Sequence, residues 1–128
     1  MKKLYTAKAT ATGGREGHVK TKDGTIDFNL SVPEGMGGKG GDGANPEQFF
    51  ASAYAACFGG ALQAIAAKKK QDLGDYSVSA SVSFCEDPDG GFMLAAVIDS
   101  YLPTLNVEDG ENLINAAHEI CPFSKATR

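Results

Sequence analysis

The stretch that decides the fold is NPEQFFASAYAACFGGALQAIAA, residues 45–67. Asn45 is a good N-cap, and Pro46 suits the first helical position, where a missing N–H costs nothing. Three lysines follow at residues 68–70 and place positive charge at the carbonyl end, where the helix dipole favours it. The sequence therefore predicts one long helix with both ends marked.

This helix is apolar or small on every side, so it must be buried, and in so short a chain that suggests help from a second subunit. Gly59 and Gly60 each cost about 1 kcal/mol relative to Ala in a helix, so we expect another backbone to press close there, or a kink. A membrane span is the alternative, because the stretch is nearly long enough. The run is mostly Ala and Gly, however, and it includes Ser52 and Gln63, so we expect no membrane.

Length and charge limit the possible functions. A chain of 128 residues is expected to form one domain, residues 1–128. Its net charge is −4, with no basic stripe beyond residues 68–70, which argues against a nucleic-acid partner. The N-terminus has two lysines but no apolar segment of the kind that a secretory signal needs, which points to the cytoplasm.

Before the helix, the chain reads as antiparallel strands and a glycine-rich loop. Residues 5–12 predict a first strand, and a glycine corner carrying Arg15 follows. Residues 18–22 and 26–32 predict a hairpin whose second strand has one apolar face. The glycines of residues 33–44 match G-x-G-x-x-G by chance and lack the Walker Ser or Thr, so we expect a mobile loop or lid and no phosphate site.

After the helix, residues 75–85 alternate strictly and predict a strand with Tyr76, Val78, Ala80, Val82 and Phe84 on one face. Residues 92–102 predict the second strand of a hairpin, apolar enough on both faces to be covered by helix. Residues 107–120 predict a second helix with Leu113, Ile114, Ala117 and Ile120 on its inner face, ended by Pro122. The fold class is α+β.

The three cysteines, an odd number without an export signal, argue against a structural disulfide framework. Cys57 is a small buried hydrophobe or a reactive thiol, Cys121 before Pro122 is expected near the surface and reachable, and Cys85 on a serine face is expected to be a bystander. A zinc site using His118 and Cys121 lacks a C-x-x-C pair, and the chain has only two histidines, so we expect no metal.

Two motifs together carry a family resemblance. NPEQ at residues 45–48, leading through AACF at 55–58 into GAL at 60–62, and CPFSKATR at 121–128 resemble the organic hydroperoxide resistance (Ohr) branch of the OsmC/Ohr family. The likeness runs over essentially the whole chain, including ATGGR at residues 11–15. The aromatic residue after Cys121-Pro122 is more similar to the Ohr branch than to its osmotically induced sibling. Family members usually continue past the Ala-Thr-Arg motif into a further strand, which this sequence does not include.

The resemblance implies a thiol peroxidase acting on organic hydroperoxides. It implies an intertwined α+β homodimer, with antiparallel sheets wrapped around two central helices and active sites at the subunit interface. Cys57 would be the peroxidatic thiol, Cys121 the resolving thiol, and Arg15 and Glu47 the residues that activate Cys57. It implies no cofactor, and a dithiol reductant, in particular dihydrolipoyl groups on carrier proteins.

The chemistry of these residue types agrees with those roles. Only a thiolate attacks a peroxide, and an adjacent guanidinium favours the thiolate. Arg15 can also hold the peroxide oxygens, and Glu47 can fix its planar fork through a bidentate pair. Glu47 and Cys57 are ten residues apart, about 15 Å of rise and roughly 80° of turn on one helix. Either the helix breaks between them, or Arg15 and Glu47 come from the partner subunit.

An organic substrate needs an apolar pocket. The candidate lining residues, any of which could equally be core, are Met36, Phe49, Phe50, Phe58 and Phe123. A small-molecule-binding or structural dimer that keeps the scaffold without catalysis is the alternative function, because fold alone does not imply chemistry. The presence of Cys57, Cys121, Arg15 and Glu47 favours the enzyme.

Overall fold

The computed structural model describes all 128 residues, which form two compact units, Met1–Phe49 and Phe50–Arg128. The single domain expected over residues 1–128 stays a prediction. The elements are of mixed α and β type, and every strand pair within a sheet is antiparallel.

The first unit is a small three-stranded sheet in the order β1 (Ala9–Thr12), β2 (His18–Thr21) and β3 (Asp27–Asn29). Gly13 turns the corner after β1 with φ 74° and is followed by the one-turn helix Gly14–Glu16, which carries Arg15. The strands are shorter than predicted, and Ile26 and Phe28 on the predicted apolar face are 37% and 49% exposed.

Helix α1 runs without interruption over Pro46–Lys68, so the break considered between Glu47 and Cys57 does not occur. The N-cap is a reciprocal pair: Asn45 Oδ1 accepts from the Gln48 N–H at 2.9 Å, and Gln48 Oε1 accepts from the Asn45 N–H at 3.0 Å. At the other end Lys70 adopts φ 55°, and the Gln71 N–H reaches back to the Ala66 carbonyl at 2.9 Å. Both predicted ends are confirmed.

Only one side of α1 is buried within the chain. Tyr54, Phe58, Leu62 and Ala66 point into the core, whereas an opposite stripe is exposed, made up of Ser52, Ala56, Gly60, Gln63, Ala64 and Ala67. No backbone presses on the two glycines: a Cβ at Gly59 would lie 3.8 Å from the Tyr76 hydroxyl, and one at Gly60 would meet nothing. By its length and composition alone, α1 could also span a membrane. This is weak evidence for a membrane span, because a helix in a protein core can have the same length and composition.

The second unit adds a hairpin of β4 (Ser77–Glu86) and β5 (Phe92–Tyr101). The alternation predicted for β4 is confirmed, with the apolar positions half-buried and the serines exposed. The expectation that helices cover both faces of β5 is wrong for one chain: Phe92, Met93, Leu94, Val97 and Tyr101 are 42–67% exposed. Ten-residue strands span roughly 33 Å, and the core packs only on their near half, around Val78, Ala80 and Ile98.

Helix α2 (Val107–Ile120) has the predicted bounds and is capped by Asn106, whose Oδ1 accepts from the Asp109 N–H at 2.8 Å. Ile120, expected on the inner face, is 41% exposed, and Gly110 is buried instead. Pro122 does end α2, but it also begins a further helix, α3 (Pro122–Thr127), which was missed. Proline serves both purposes because it cannot continue one helix and is preorganised for the first position of the next.

Candidate active site

Two cysteines meet in the second unit although 64 positions separate them in the sequence. Cys57, in the middle of α1, and Cys121, at the junction of α2 and α3, have their Sγ atoms 3.7 Å apart. Cys57 is half-buried, but Cys121 is 0% exposed, so the expectation that Cys121 lies near the surface is wrong. Its N–H still bonds to the Ala117 carbonyl at 2.8 Å, and this last turn of α2 keeps the residue in the core.

Polar side chains from three helices meet at Ser124, three residues after the buried thiol. Ser124, on α3, is 0% exposed, and its Oγ lies 2.8 Å from the Tyr54 hydroxyl and 2.9 Å from His118 Nδ1. The carbonyl of His118 accepts from Arg128 at 2.8 Å. The sequence carried no signal for Ser124 or Tyr54, and it suggested His118 only as a zinc ligand.

The two thiols have opposite electrostatic environments. Burial raises the pKa of Cys57, and the neighbouring Cys121 raises it further. Burial also acts to raise the pKa of Cys121, but the backbone N–H and hydroxyl of Ser124, the thiol of Cys57 and the backbone N–H of Phe123 together outweigh it, so that this pKa falls below its usual value. Within one chain, Cys57 therefore lacks the positive charge that would make it a strong nucleophile.

Aromatic rings pack beside the thiol pair. Phe50 and Phe123 meet edge to face with ring centroids 6.0 Å apart, and Tyr54 lies 6.1 Å from Phe50 and 5.8 Å from Phe123. Of the candidate pocket residues, Phe50 and Phe123 are half-buried here, whereas Phe58 is 2% exposed in the core.

The first unit holds the other two candidate residues as an ion pair. Arg15 donates to both carboxylate oxygens of Glu47, from NH1 at 3.0 Å and from NH2 at 2.8 Å, which is the expected bidentate pair. Hydrogen bonds from Arg15 hold the pKa of Glu47 below its usual value, and Glu47 raises the pKa of Arg15. The remaining pocket candidates are also in this unit: Phe49 packs on Phe28 at 5.7 Å, and Met36 ends the one-turn helix Glu34–Met36.

Cys85 has no part in the pair. Its Sγ lies on β4, 3.7 Å from the Ser83 carbonyl. No group of three or more His, Cys, Asp or Glu side chains is arranged to hold a metal ion.

The fold and these residues define a class: an α+β protein with a close pair of cysteines, one buried and one partly exposed. Comparison with known proteins narrows the class. A family model described as OsmC-like protein matches residues 38–128. The organic hydroperoxide resistance protein of Xanthomonas axonopodis pv. citri is 48% identical over 128 residues, which cover 99% of this chain and 89% of the relative.

Solved structures agree. OhrB of Bacillus subtilis, an organic hydroperoxide resistance protein, superposes with a TM-score of 0.89 at 44% identity, over 98% of this chain and 93% of that one. An organic hydroperoxide resistance protein from Legionella pneumophila gives 0.93 at 44% identity, over 99% and 92%. The chain therefore belongs to the OsmC/Ohr family, in its organic hydroperoxide resistance branch.

Proposed function

We propose that this protein is a thiol peroxidase that reduces organic hydroperoxides to alcohols, with Cys57 as the peroxidatic thiol and Cys121 as the resolving thiol. The observation that supports this most is the Sγ–Sγ distance of 3.7 Å between them. A disulfide requires about 2 Å, so a small side-chain movement is enough to join the two sulfurs.

The proposed cycle has two oxidative steps. The Cys57 thiolate attacks one peroxide oxygen, the O–O bond breaks, and the alkoxide takes a proton and leaves as the alcohol, with Cys57 left as a sulfenic acid. The sulfur of Cys121 then attacks the sulfur of Cys57, the S–O bond breaks, and water leaves as the disulfide forms.

A dithiol closes the cycle by exchange, and the family resemblance favours a dihydrolipoyl group on a carrier protein. Cys121 is 0% exposed, so the reductant attacks the sulfur of Cys57, and Cys121 is the leaving thiolate. The lowered pKa of Cys121 suits it to that role, because a thiol of low pKa leaves faster.

Activation of Cys57 is assigned to Arg15 and Glu47 of the partner subunit. Burial raises the pKa of Cys57, so the thiolate needs a cation close by. Because α1 is unbroken, Glu47 and Cys57 of one chain are about 15 Å apart along the helix axis. A second subunit can supply the Arg15–Glu47 pair without breaking the helix.

A homodimer is supported by the surfaces that one chain leaves open. The far half of β5 exposes large apolar side chains, and α1 exposes a stripe of small ones. Exposed large apolar side chains that lie together on a surface are typical of an interaction site.

The substrate pocket is proposed beside the thiols, where Phe50 and Phe123 present their rings. Met36 and Phe49 stay candidates, whereas the core position of Phe58 suits it to supporting the pocket from below. The cytoplasm as the location, and the lack of a cofactor and of nucleic-acid or membrane partners, stay predictions.

The experiment that tests this function adds one equivalent per subunit of an organic hydroperoxide to the reduced protein, with hydrogen peroxide in parallel. Intact mass and free-thiol counts then follow the reaction. We expect loss of two thiols, a disulfide linking Cys57 and Cys121, and a faster reaction with the organic peroxide. Cys85→Ser is the matched control and should behave as the parent. Binding of peroxide without thiol loss would instead indicate the non-catalytic binding dimer.

A further inference from the structure

Ser124 is the one polar side chain buried in this protein, and it connects the buried thiol to the surface. Its Oγ lies within hydrogen-bond distance of His118 Nδ1, at 2.9 Å, and of the Tyr54 hydroxyl, at 2.8 Å. His118 itself is on the exposed side of α2. The peroxidase cycle as described above uses none of these three residues.

Cys121 needs an exit for its proton. It has to become a thiolate to attack the Cys57 sulfenic acid, yet it is 0% exposed and packs among Leu113, Ala117 and Tyr54. Bulk water therefore cannot take the proton directly, and an internal acceptor is required.

We propose that His118, acting through the hydroxyl of Ser124, takes up the proton of Cys121 during disulfide formation, with Tyr54 holding the Ser124 hydroxyl in place. This proposal rests on the proposed function and adds the residues that drive its second step. Ser124 is the polar neighbour that acts on the Cys121 thiol, whereas His118 and Tyr54 act through Ser124.

The hydrogen-bonding capacity of Ser124 fits the transfer. A serine hydroxyl has one hydrogen and two acceptor lone pairs. In the arrangement that the transfer requires, the Tyr54 O–H donates to Oγ and occupies one lone pair, and the Ser124 hydrogen is left for an unprotonated His118 Nδ1. When the Cys121 S–H gives its proton to Oγ, Ser124 passes its own to Nδ1. Afterwards Ser124 donates to the thiolate and accepts from both Tyr54 and His118, which uses its full capacity.

The transfer balances. The Cys121 thiolate attacks the Cys57 sulfur, the S–S bond forms, and the S–O bond breaks; the departing hydroxide takes one proton from solvent and leaves as water. His118 returns the proton it received to solvent. The net change is one thiol and one sulfenic acid converted to one disulfide and one water. The lowered pKa of Cys121, which Ser124 helps to cause against the effect of burial, is consistent with this direction.

Two charged side chains, Arg128 and Glu119, lie beside the hydrogen-bonded residues Tyr54, Ser124 and His118. Arg128 donates to the carbonyl oxygens of His118 at 2.8 Å and of Glu119 at 3.2 Å, and its guanidinium lies 3.6 Å from the Glu119 carboxylate. Cys121 and Tyr54 are the titratable groups that meet Ser124 from the other side.

The experiment compares His118→Asn with the parent in rapid-quench mass spectrometry after one equivalent of organic hydroperoxide. Asn can keep a hydrogen bond to Ser124 at the position of Nδ1, but it cannot take up a proton. We expect sulfenic acid to form at the parental rate and then to accumulate, because disulfide formation slows by roughly 10². The slow step should accelerate with rising pH more steeply than in the parent. Ser124→Ala should show the same separation of the two steps.

Glu111→Gln, at an exposed position of the same helix, is the matched control and should leave both steps unchanged. Disulfide formation at the parental rate in both His118→Asn and Ser124→Ala would overturn the proposal, as would equal slowing of both steps, which indicates only structural damage. Failure of the parent protein to form any sulfenic acid or disulfide would contradict the proposed function itself and is therefore a distinguishable result.

Discussion

At the scale of single residues, the two thiols differ in exposure and in charge environment, and the difference supports the proposed order of their reactions. Cys57 is reachable from outside, whereas Cys121 is enclosed in the core. A bulky peroxide can approach the first sulfur and not the second.

Replacing each cysteine should therefore have different results. Cys57→Ser should abolish peroxide reduction, because no other accessible sulfur faces the site. Cys121→Ser should reduce one equivalent of peroxide per subunit and stop as a sulfenic acid, since the resolving sulfur is missing. Single-turnover product counts measure both. Equal multiple turnover by the two variants would refute the assignment.

Arg15 is expected to act on rate. Arg15→Ala should slow the reaction of Cys57 with peroxide by about 10² or more, because both the thiolate and the developing oxygen charge lose their cation. Stopped-flow measurement of the second-order rate constant tests this, with Lys20→Ala, on the neighbouring strand β2, as control. An unchanged constant would remove Arg15 from the site.

The Arg15–Glu47 ion pair should make the stability of the protein depend on pH. The pKa of Glu47 is lowered by hydrogen bonds from Arg15, so the ionised pair contributes stability above the usual glutamate value of 4.5 and loses it as pH falls through the lowered value. Glu47→Gln should thus be less stable than the parent near neutrality, and the gap should narrow on acidification. Denaturant unfolding at several pH values measures it; a gap that widens in acid would contradict the sign.

The site was only partly predictable from the residues. Motif resemblance singled out Cys57, Cys121, Arg15 and Glu47 as candidates, but it could not show that Cys57 and Cys121 meet, since residues 64 positions apart come together only through tertiary packing. The burial of Cys121 was missed because a Cys-Pro step indicates a helix end without saying which way the side chain points. Ser124 sits in a short polar stretch that gives no sign of burial.

At the scale of elements, local chemistry was a good guide wherever a helix had its own caps. The ends of α1 and α2 follow from Asn45, Asn106 and the lysines of residues 68–70. It failed for α3, a six-residue helix without hydrophobic periodicity, whose only marker is Pro122. It also failed for β1 and β3, where neighbouring strands, not propensity, decide how far pairing runs.

Gly59 offers a stabilising change in α1. An added Cβ would lie 3.8–3.9 Å from Tyr76 and Val78, an ordinary contact distance. Gly59→Ala should therefore raise stability by about 1 kcal/mol, the difference in helix propensity. Chemical denaturation measures it, and a loss of stability would show that the helix cannot accept the methyl group.

Gly60→Ala is the companion variant to Gly59→Ala. Its Cβ meets nothing within the chain. Gly60→Ala should raise stability as much as Gly59→Ala does if the Gly60 side of α1 faces water. It should raise stability less, or lower it, if the backbone of a partner packs against Gly60.

At the scale of the whole molecule, the half of the β4–β5 hairpin that lies away from the core leaves large apolar side chains exposed. Leu94, at 42% exposure, lies on the strand face that pairs with Phe84. Sequence alone showed that β5 is apolar on both faces, but it could not show that the chain leaves several of these side chains exposed.

Leu94→Glu should therefore weaken the proposed dimer, because an unpaired carboxylate is costly to bury. Sedimentation velocity at several concentrations should show a monomer where the parent is dimeric. Val107→Glu places the same charge on another exposed aliphatic residue, in the first turn of α2, and should leave association unchanged. A dimeric Leu94→Glu protein, as tight as the parent, would exclude this surface.

The closeness of Cys57 and Cys121 also makes the oxidised protein a cross-linked one. A bond between residues 64 positions apart removes chain entropy from the unfolded state worth about 4 kcal/mol in the loop-closure estimate. Oxidation by peroxide would then raise the free energy of unfolding, and each reduction by a dithiol would lower it again. A thermal unfolding measurement would thus report what fraction of the protein in a sample carries the Cys57–Cys121 disulfide.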